Sequence, residues 1–147
     1  MQSPRRITRW LNIWFPFLLG ILIYCVFGNS WHLSRLEEKH LLFKHIRELV
    51  YINVPTSALI GRIIHGYASD VLWAYSLGWA SLMAKMNAQK GFRFAIVVAY
   101  SQELIQLWPA THSTFDWCDM IYETLAILLA TVIWRHCVIK NPKEIGA

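Results

Sequence analysis

Four apolar runs dominate the chain, and each has about the length of a membrane-crossing helix. They cover about residues 10–27, 67–86, 92–108 and 117–138. A helix needs roughly 20 mostly apolar residues to cross the hydrocarbon core of a bilayer. The pattern therefore predicts an all-α membrane protein with four transmembrane helices, and the length of 147 residues predicts a single membrane domain over residues 1–147.

The first run follows three arginines, as the apolar part of a signal peptide would. It is longer than the roughly 7 to 15 residues of that part in a signal peptide. In addition, no cleavage motif of the A-x-A kind follows it. We therefore interpret residues 10–27 as the first transmembrane helix.

A fifth element is predicted between the first two runs, over about residues 36–52. Its apolar side chains recur at helical i, i+3 and i+4 spacings, at Leu42, Phe43, Ile46, Leu49 and Val50. Most charged side chains fall elsewhere on the helical wheel. The pattern predicts an amphipathic helix that is too charged to span the membrane and that lies on its surface or caps the bundle. A packed surface helix that binds no ligand is the alternative.

The composition supports a membrane protein and argues against a nucleic-acid-binding protein. The chain is 56% hydrophobic and only 16% charged, with a mean hydropathy of +0.35. The net charge of +5 and the pI near 9.3 would suit nucleic acid, but the basic residues flank the apolar runs and form no single patch. We therefore expect membrane lipid, and no nucleic acid, as a partner.

The distribution of lysine and arginine predicts the orientation in the membrane. Basic residues flank the first run, the connection between the second and third, and the end of the fourth, at Arg5, Arg6, Arg9, Lys85, Lys90, Arg93, Arg135, Lys140 and Lys143. The loop over residues 109–115 has none. Because positive charge favours the cytoplasmic side, we expect both termini in the cytoplasm and this loop outside. The five basic residues within residues 28–66 argue against this orientation.

The three cysteines do not indicate a metal or redox site. Cys25, Cys118 and Cys137 have neither the spacing of metal ligands nor a C-x-x-C motif. We expect them to pack as small apolar residues.

Residues 100–123 carry four carboxylates in apolar surroundings. An ionisable side chain at the centre of a membrane helix costs roughly 2.5 to 3.5 kcal/mol on insertion scales, so such residues usually serve a function. Asp116, Asp119 and Glu123 have the spacing i, i+3, i+7 and share one face of the fourth helix. Glu103 and Gln106, spaced i, i+3, lie near the outer end of the third helix.

Further polar residues reach the same outer side in the predicted topology. His65, Tyr67 and Asp70 open the second helix, and His112 lies in the loop before the fourth. We therefore predict an acidic site at this side. Its candidate catalytic residues are Glu103, Asp116, Asp119 and Glu123, and its candidate substrate-binding residues are His65, Tyr67, Asp70, Gln106 and His112.

This site admits two chemistries. Carboxylates that are crowded in a low dielectric must protonate, pair or bind a cation. The first chemistry is general acid/base catalysis, in which His65 or His112 would carry the proton. The second is the binding of a hard divalent cation, Mg²⁺, Ca²⁺ or Mn²⁺, by oxygen ligands from the four acids. The sequence has no established metal-binding spacing, and no other cofactor is indicated.

Part of the site also has a purely structural explanation. Asp116 directly precedes the fourth helix and is a candidate N-cap, and Asp119 would be favoured by the positive end of the helix dipole. Glu103 is a candidate partner of Gln106, Tyr122 or His65 in a contact that only locks the bundle. Capping explains neither Glu103 nor Glu123, because both lie well inside their helices.

Two of these spacings match the pattern of a known family. Glu103 and Gln106 are one turn apart late in a helix, and the D-x-x-D run from Asp116 to Asp119 opens the last helix. Together with the segment HGYASD at residues 65–70, this order resembles the VanZ-like superfamily of small bacterial membrane proteins. The resemblance covers about residues 60–134 and implies a site in the bacterial inner membrane. Glu123 stands where the family has an asparagine.

The resemblance and the shared depth of the acids imply a function in the cell envelope. We expect the site to bind or modify a lipid-linked or cell-wall-related substrate, such as a lipid-linked glycan, on the extracytoplasmic side. Whether the protein is an enzyme stays open. The alternatives are a small proton- or cation-coupled transporter, possible as a homo-oligomer, and a non-catalytic partner subunit of another membrane protein.

Overall fold

The computed structural model describes residues 4–27, 38–53, 63, 66–84, 87–108 and 116–139. The regular secondary structure in these ranges is entirely helical, which confirms the predicted all-α class. The helices are α1 (Pro4–Phe27), α2 (Leu41–Asn53), α3 (Ala68–Met83), α4 (Ala88–Gln106) and α5 (Trp117–Ile139).

The helices begin earlier than predicted where a polar segment starts them. α4 begins at Ala88, ahead of the predicted start at residue 92, because the side chain of Asn87 accepts a hydrogen bond from the backbone N–H of Lys90 at 2.7 Å. α1 begins at Pro4, a residue type that suits the first helical position, and continues through Pro16. A prediction based on apolar residues cannot locate a first helical turn that is polar.

Two described helices, and not the four predicted, are long and apolar enough to cross a membrane. The two spans are Arg9–Phe27 in α1 and Trp117–Cys137 in α5. α3 has only 16 residues, and α4 is less apolar because it carries Lys90, Arg93 and Glu103. Only 6% of the α1 span and 28% of the α5 span is buried within the protein, whereas the core helix of a soluble protein is mostly buried.

Large apolar side chains cover the outer faces of these two helices. The exposed residues include Leu11, Phe15, Leu18 and Leu22 on α1 and Ile121, Leu125 and Leu129 on α5. Scattered exposed apolar residues are normal in soluble proteins, but continuous apolar surfaces of this kind are rare. Both helices therefore present a surface that suits lipid.

α3 is the centre of the bundle and contacts α1, α4 and α5. α4 also packs on α5, and α2 contacts α1. The core is made mainly of alanines, with Ala74, Ala95, Ala99, Ala126 and Ile127 fully or almost fully buried. Small side chains let helix backbones approach closely, as in many membrane bundles.

Two glycines lie where the helices are closest. A Cβ atom at Gly78 of α3 would lie 3.0 Å from Cβ of Ala130 on α5. A Cβ atom at Gly20 of α1 would lie 3.2 Å from the carbonyl oxygen of Ser69 on α3. A larger side chain at either position would push two helices apart.

α1 runs antiparallel to α3 and is fixed to it by polar contacts as well. The hydroxyl of Tyr75 on α3 donates a hydrogen bond to Oδ1 of Asn12 at 3.2 Å. Near the same end of the bundle, the rings of Trp79 and Trp134 pack edge to face at 5.1 Å, and the guanidinium of Arg9 lies 5.7 Å from the Trp134 ring. These contacts join α1, α3 and α5 into one unit.

α2 is helical as predicted, but one of its charged residues is buried. The large apolar side chains of Leu41, Leu42, Ile46 and Leu49 are exposed. Arg47, however, is buried, and its guanidinium lies 5.8 Å from the ring of Phe43. This cation–π geometry lets the arginine pack on its own helix.

The cysteines differ in their surroundings. Cys25 on α1 is half-buried, whereas Cys118 and Cys137 on α5 are exposed, and all three are free thiols. The expectation that all three pack as small apolar residues is therefore not met by the two exposed cysteines on α5. Cys118 lies within electrostatic range of Tyr67, and Cys137 within that of Tyr75 on α3.

Candidate functional site

Two glutamates are buried where α4 and α5 pack. Glu103 is 1% exposed and Glu123 is 0% exposed. Each lies one helical turn from a core residue, Glu103 after Ala99 and Glu123 before Ile127, and therefore shares the packed face of its helix. The same pattern that buries the apolar core thus carries a carboxylate into it from both helices.

Most oxygens of these two carboxylates have no hydrogen-bond partner among the described residues. Oε1 of Glu103 accepts a hydrogen bond from Nε2 of Gln106 at 2.9 Å. Oε2 of Glu103 and both oxygens of Glu123 accept none. Because most buried polar atoms in proteins are hydrogen-bonded, three such oxygens at one place need a physical explanation.

Two aspartates bring further negative charge to the same place. Oδ1 of Asp119 on α5 is buried and, within the described ranges, has no hydrogen-bond partner. Asp70 on α3 accepts a long hydrogen bond of 3.5 Å from Oγ of Ser69. Asp70, Glu103 and Asp119 all lie within electrostatic range of Glu123. We refer to Asp70, Glu103, Asp119 and Glu123 as the acidic pocket.

In the part of the chain that the structure describes, no lysine or arginine forms an ion pair with the acidic pocket. Lys44 pairs with Glu48 on α2 at 3.8 Å. An uncompensated charge in an apolar interior costs several kcal/mol. The acidic pocket is therefore suited to a ligand that supplies positive charge or hydrogen-bond donors.

Asp116 differs from the other acids on α5. Its Oδ1 accepts a hydrogen bond from the backbone N–H of Cys118 at 2.9 Å, and the residue is only half-buried. This is the geometry of an N-cap, in which a side chain satisfies one of the free N–H groups of the first turn. This hydrogen bond supports the explanation of Asp116 as the N-cap of α5.

Tyr67 joins the start of α3 to the start of α5. Its ring lies 4.7 Å from the ring of Tyr122, and it is within electrostatic range of Asp116 and Asp119. Together with Gln106 at the end of α4, it borders the acidic pocket. The two predicted histidines, His65 and His112, lie outside the described residues.

One contact near the acidic pocket was not predicted. The hydroxyl groups of Tyr100 on α4 and Thr124 on α5 are 2.8 Å apart and hydrogen-bonded. Thr124 also donates to the carbonyl oxygen of Met120 at 2.7 Å, so Tyr100 is the donor in their shared bond. Its signal in the sequence is a threonine directly after Glu123 within an apolar run.

An apolar groove lies beside this hydrogen bond, with a volume of about 370 Å³. Its walls are formed by Tyr100, Trp117, Met120, Ile121, Thr124 and Leu125. Two of its wall residues are close in sequence to the acidic pocket, since Tyr100 is one turn before Glu103 and Thr124 directly follows Glu123. It depends on the separation of α4 and α5, which no sequence pattern contains.

The described residues offer few preformed ligands for a metal ion. They contain no group of three or more histidine, cysteine, aspartate or glutamate side chains that could hold a metal ion. A closed site of four protein ligands, as structural zinc needs, is therefore not formed by them. Two carboxylates with oxygen-only surroundings fit a hard cation that keeps part of its water.

Comparisons with known proteins neither support nor contradict the resemblance to the VanZ-like superfamily. No model of a protein family matches the chain. No curated protein and no solved structure matches it either. The site therefore has to be interpreted from its own geometry and chemistry.

Proposed function

We propose that this chain is a VanZ-like membrane protein of the bacterial cell envelope that binds or modifies a lipid-linked or cell-wall-related substrate at the acidic pocket. The observation that carries the proposal is Glu123, which is fully buried and has no hydrogen-bond partner for either carboxylate oxygen among the described residues. A stability role alone would favour an apolar residue at this position.

The chemistry of the acidic pocket suggests which part of a substrate it takes. Its free oxygens are acceptors, so they complement hydroxyl, amide or ammonium groups or a bound cation. Sugars and peptides of cell-wall precursors are rich in such donors. The apolar groove beside Tyr100 and Thr124 is suited to the hydrocarbon part of the same molecule. A polar and an apolar surface side by side favour an amphiphilic substrate.

The proposal includes four membrane crossings. α3 packs against α1 and α5, the two helices that are long and apolar enough to span, and α4 packs against α3 and α5. If α1 and α5 cross the bilayer, α3 and α4 cross with them. With both termini in the cytoplasm, the acidic pocket lies at the extracytoplasmic side. α2 then lies at the membrane surface, with Leu42 and Ile46 in contact with lipid.

Transport of a proton or cation is less well supported than binding. A transport path needs polar groups that continue from the acidic pocket to the other side. The buried hydroxyls of Ser76, Ser81 and Thr131 donate to carbonyl oxygens of their own helices at 2.8, 2.8 and 2.9 Å. Their protons are therefore used within α3 and α5 and form no relay.

Complementation with pocket variants tests the proposed function. Cells that lack the gene would express wild-type protein, Glu103→Gln, Asp119→Asn, or the control Glu48→Gln on the exposed side of α2. We expect the two pocket variants to reach the membrane in normal amounts but to lose roughly tenfold or more of their activity in a cell-envelope stress assay, since each loses a charged hydrogen-bond acceptor. The control should keep full activity.

Full activity of both pocket variants would contradict the proposed function. Purified protein in liposomes separates binding from transport. A binding or modifying protein should produce no proton or cation flux that depends on Glu123. Such a flux would favour the transporter instead.

A further inference from the structure

Glu103 and Glu123 lie on different helices and reach the same buried space. Glu123 is 0% exposed, and three oxygens of the pair accept no hydrogen bond within the described part of the chain. Asp119 adds a fourth such oxygen. A ligand that satisfies the acidic pocket must therefore supply several hydrogen-bond donors or positive charges at once.

A proton is a poor solution to this requirement. One proton neutralises one carboxylate and provides one donor, which leaves the remaining oxygens without a partner. A hard divalent cation removes two negative charges and coordinates six or more oxygens, from protein and from water. It therefore matches both the charge and the number of free acceptors in the acidic pocket.

The carboxylate ligands favour magnesium-like ions. The ionisable side chains nearest to Glu123 among the described residues are the carboxylates of Asp70, Glu103 and Asp119. Mg²⁺ and Mn²⁺ are often bound through one or two carboxylates and keep several of their waters. This is consistent with the absence of a preformed group of three ligands in the described ranges.

Gln106 has a clear part in such a site. Its Nε2 holds Oε1 of Glu103 at 2.9 Å, one turn away on α4, and so fixes the direction of the other oxygen, Oε2. A hydrogen bond from a residue that does not itself touch the metal orients a metal ligand and raises its affinity. Gln106 is thus a positioning residue, and the E-x-x-Q spacing acquires a physical meaning.

We propose that Glu103 and Glu123 bind one partly hydrated divalent cation between α4 and α5, with Asp119 and Asp70 holding its waters. The inference deepens the proposed function, on which it rests for the substrate. Acceptor oxygens alone would repel a phosphate group. A cation with open positions at the acidic pocket would instead accept a phosphate oxygen of a lipid-linked substrate.

Mn²⁺ binding to the purified full-length protein in detergent tests the proposal without any substrate. The signal of free Mn²⁺ in electron paramagnetic resonance falls when the ion binds, and Mg²⁺ should compete. We expect one Mn²⁺ per chain, with affinity reduced at least tenfold in Glu103→Gln and Glu123→Gln and roughly tenfold in Gln106→Leu. Glu48→Gln, which removes an exposed acid on α2, should bind like wild type.

Thermal unfolding distinguishes a variant that has lost cation binding from one that does not fold. Without divalent ions, Glu123→Gln should unfold at the same or a higher temperature than wild type, because a neutral amide replaces an uncompensated charge. With Mg²⁺, only wild type and Glu48→Gln should gain stability. Absence of Mn²⁺ binding to wild type at millimolar concentration, or equal binding by Glu123→Gln, would overturn the proposal.

The two proposals can fail separately. If Mn²⁺ binds as described but the pocket variants keep full activity in cells, the cation site stands and the proposed function fails. If the pocket variants lose activity in cells and wild type binds no cation, the proposed function stands and the cation site fails.

Discussion

At the residue scale, Asp116 and Glu123 occupy the same face of α5 but have different surroundings. Asp116 is half-buried at the helix start, and its Oδ1 accepts the backbone N–H of Cys118 at 2.9 Å. Glu123 lies two turns further on, is fully buried, and has no hydrogen-bond partner within the described residues. The first carboxylate caps the helix, whereas no described contact accounts for the second.

The capping role of Asp116 predicts different effects on stability for two substitutions that remove its charge. Asparagine is as good an N-cap as aspartate, so Asp116→Asn should change the free energy of unfolding little, whereas Asp116→Ala should cost about 1 kcal/mol. Unfolding of the purified variants in detergent measures this. If Asp116→Asn abolished activity in cells while its stability was unchanged, the carboxylate itself would be needed and capping would not account for it.

Individual contacts were predictable only where sequence spacing determines them. The i, i+3 spacing of Glu103 and Gln106 anticipated their hydrogen bond, because residues three apart on a helix are neighbours. The pairing of Tyr100 with Thr124 joins two helices at a register that the sequence does not contain. Contacts within one helix follow from periodicity, whereas contacts between helices follow from packing.

At the scale of elements, the small side chains of α3 decide how closely its neighbours approach. Gly78 and Ala74 are buried against α4 and α5. In a membrane, close van der Waals contact replaces the hydrophobic effect as the main attraction between helices. The face of α3 with the smallest side chains is therefore the most sensitive to substitution.

Gly78→Ala should destabilise the bundle, and Gly66→Ala should not. A Cβ atom at Gly78 would lie 3.0 Å from Cβ of Ala130, whereas no atom of the described residues lies within 4 Å of a Cβ atom at Gly66. We expect a loss of about 1 to 3 kcal/mol for Gly78→Ala and a change within about 0.5 kcal/mol for Gly66→Ala. Equal stability of the two variants in detergent would contradict the close approach of α3 and α5.

The existence of the helices was predictable, but their capacity to span a membrane was not. Apolar periodicity located every described helix, and α5 begins at the predicted Trp117, but α1 begins six residues before its predicted start and α2 five residues after its own. α3 proved to be short, and the start of α4 proved to be polar. An average over an apolar run does not reveal where the backbone hydrogen bonds of the helix begin and end.

At the scale of the whole molecule, α1 is part of the bundle and not an appendage. It contacts α3 extensively, Gly20 lies close to Ser69, and Asn12 accepts a hydrogen bond from Tyr75. A signal peptide has no such contacts to keep, because it is removed. The arrangement of α1 thus supports the interpretation of residues 10–27 as a permanent helix.

Intact mass spectrometry of the protein from membranes should therefore detect a chain that retains α1. The physical reason is that loss of α1 would expose the face of α3 that carries Ser69 and Tyr75. A mature protein that begins after Phe27 would contradict this expectation. Expression of residues 28–147 alone should give a protein that is degraded or aggregated, which serves as the control for the contribution of α1.

The order of helices in space could not be taken from the sequence. α3 has only 16 residues, fewer than α1, α4 or α5, yet it is the helix that contacts all three. The central position of α3 depends on how its small residues pack against three other helices. The acidic pocket depends on the same match, since its members come from α3, α4 and α5.

The shortness of α3 has a consequence for the electrical properties of the bundle. Its 16 residues extend over roughly 24 Å, several ångströms less than the roughly 30 Å of an average hydrocarbon core. If the bundle spans a bilayer, lipid must thin or water must enter at an end of this helix. The membrane voltage then falls over a shorter distance at the centre of the protein, and an ion at the acidic pocket would experience a steeper field than one in the surrounding lipid.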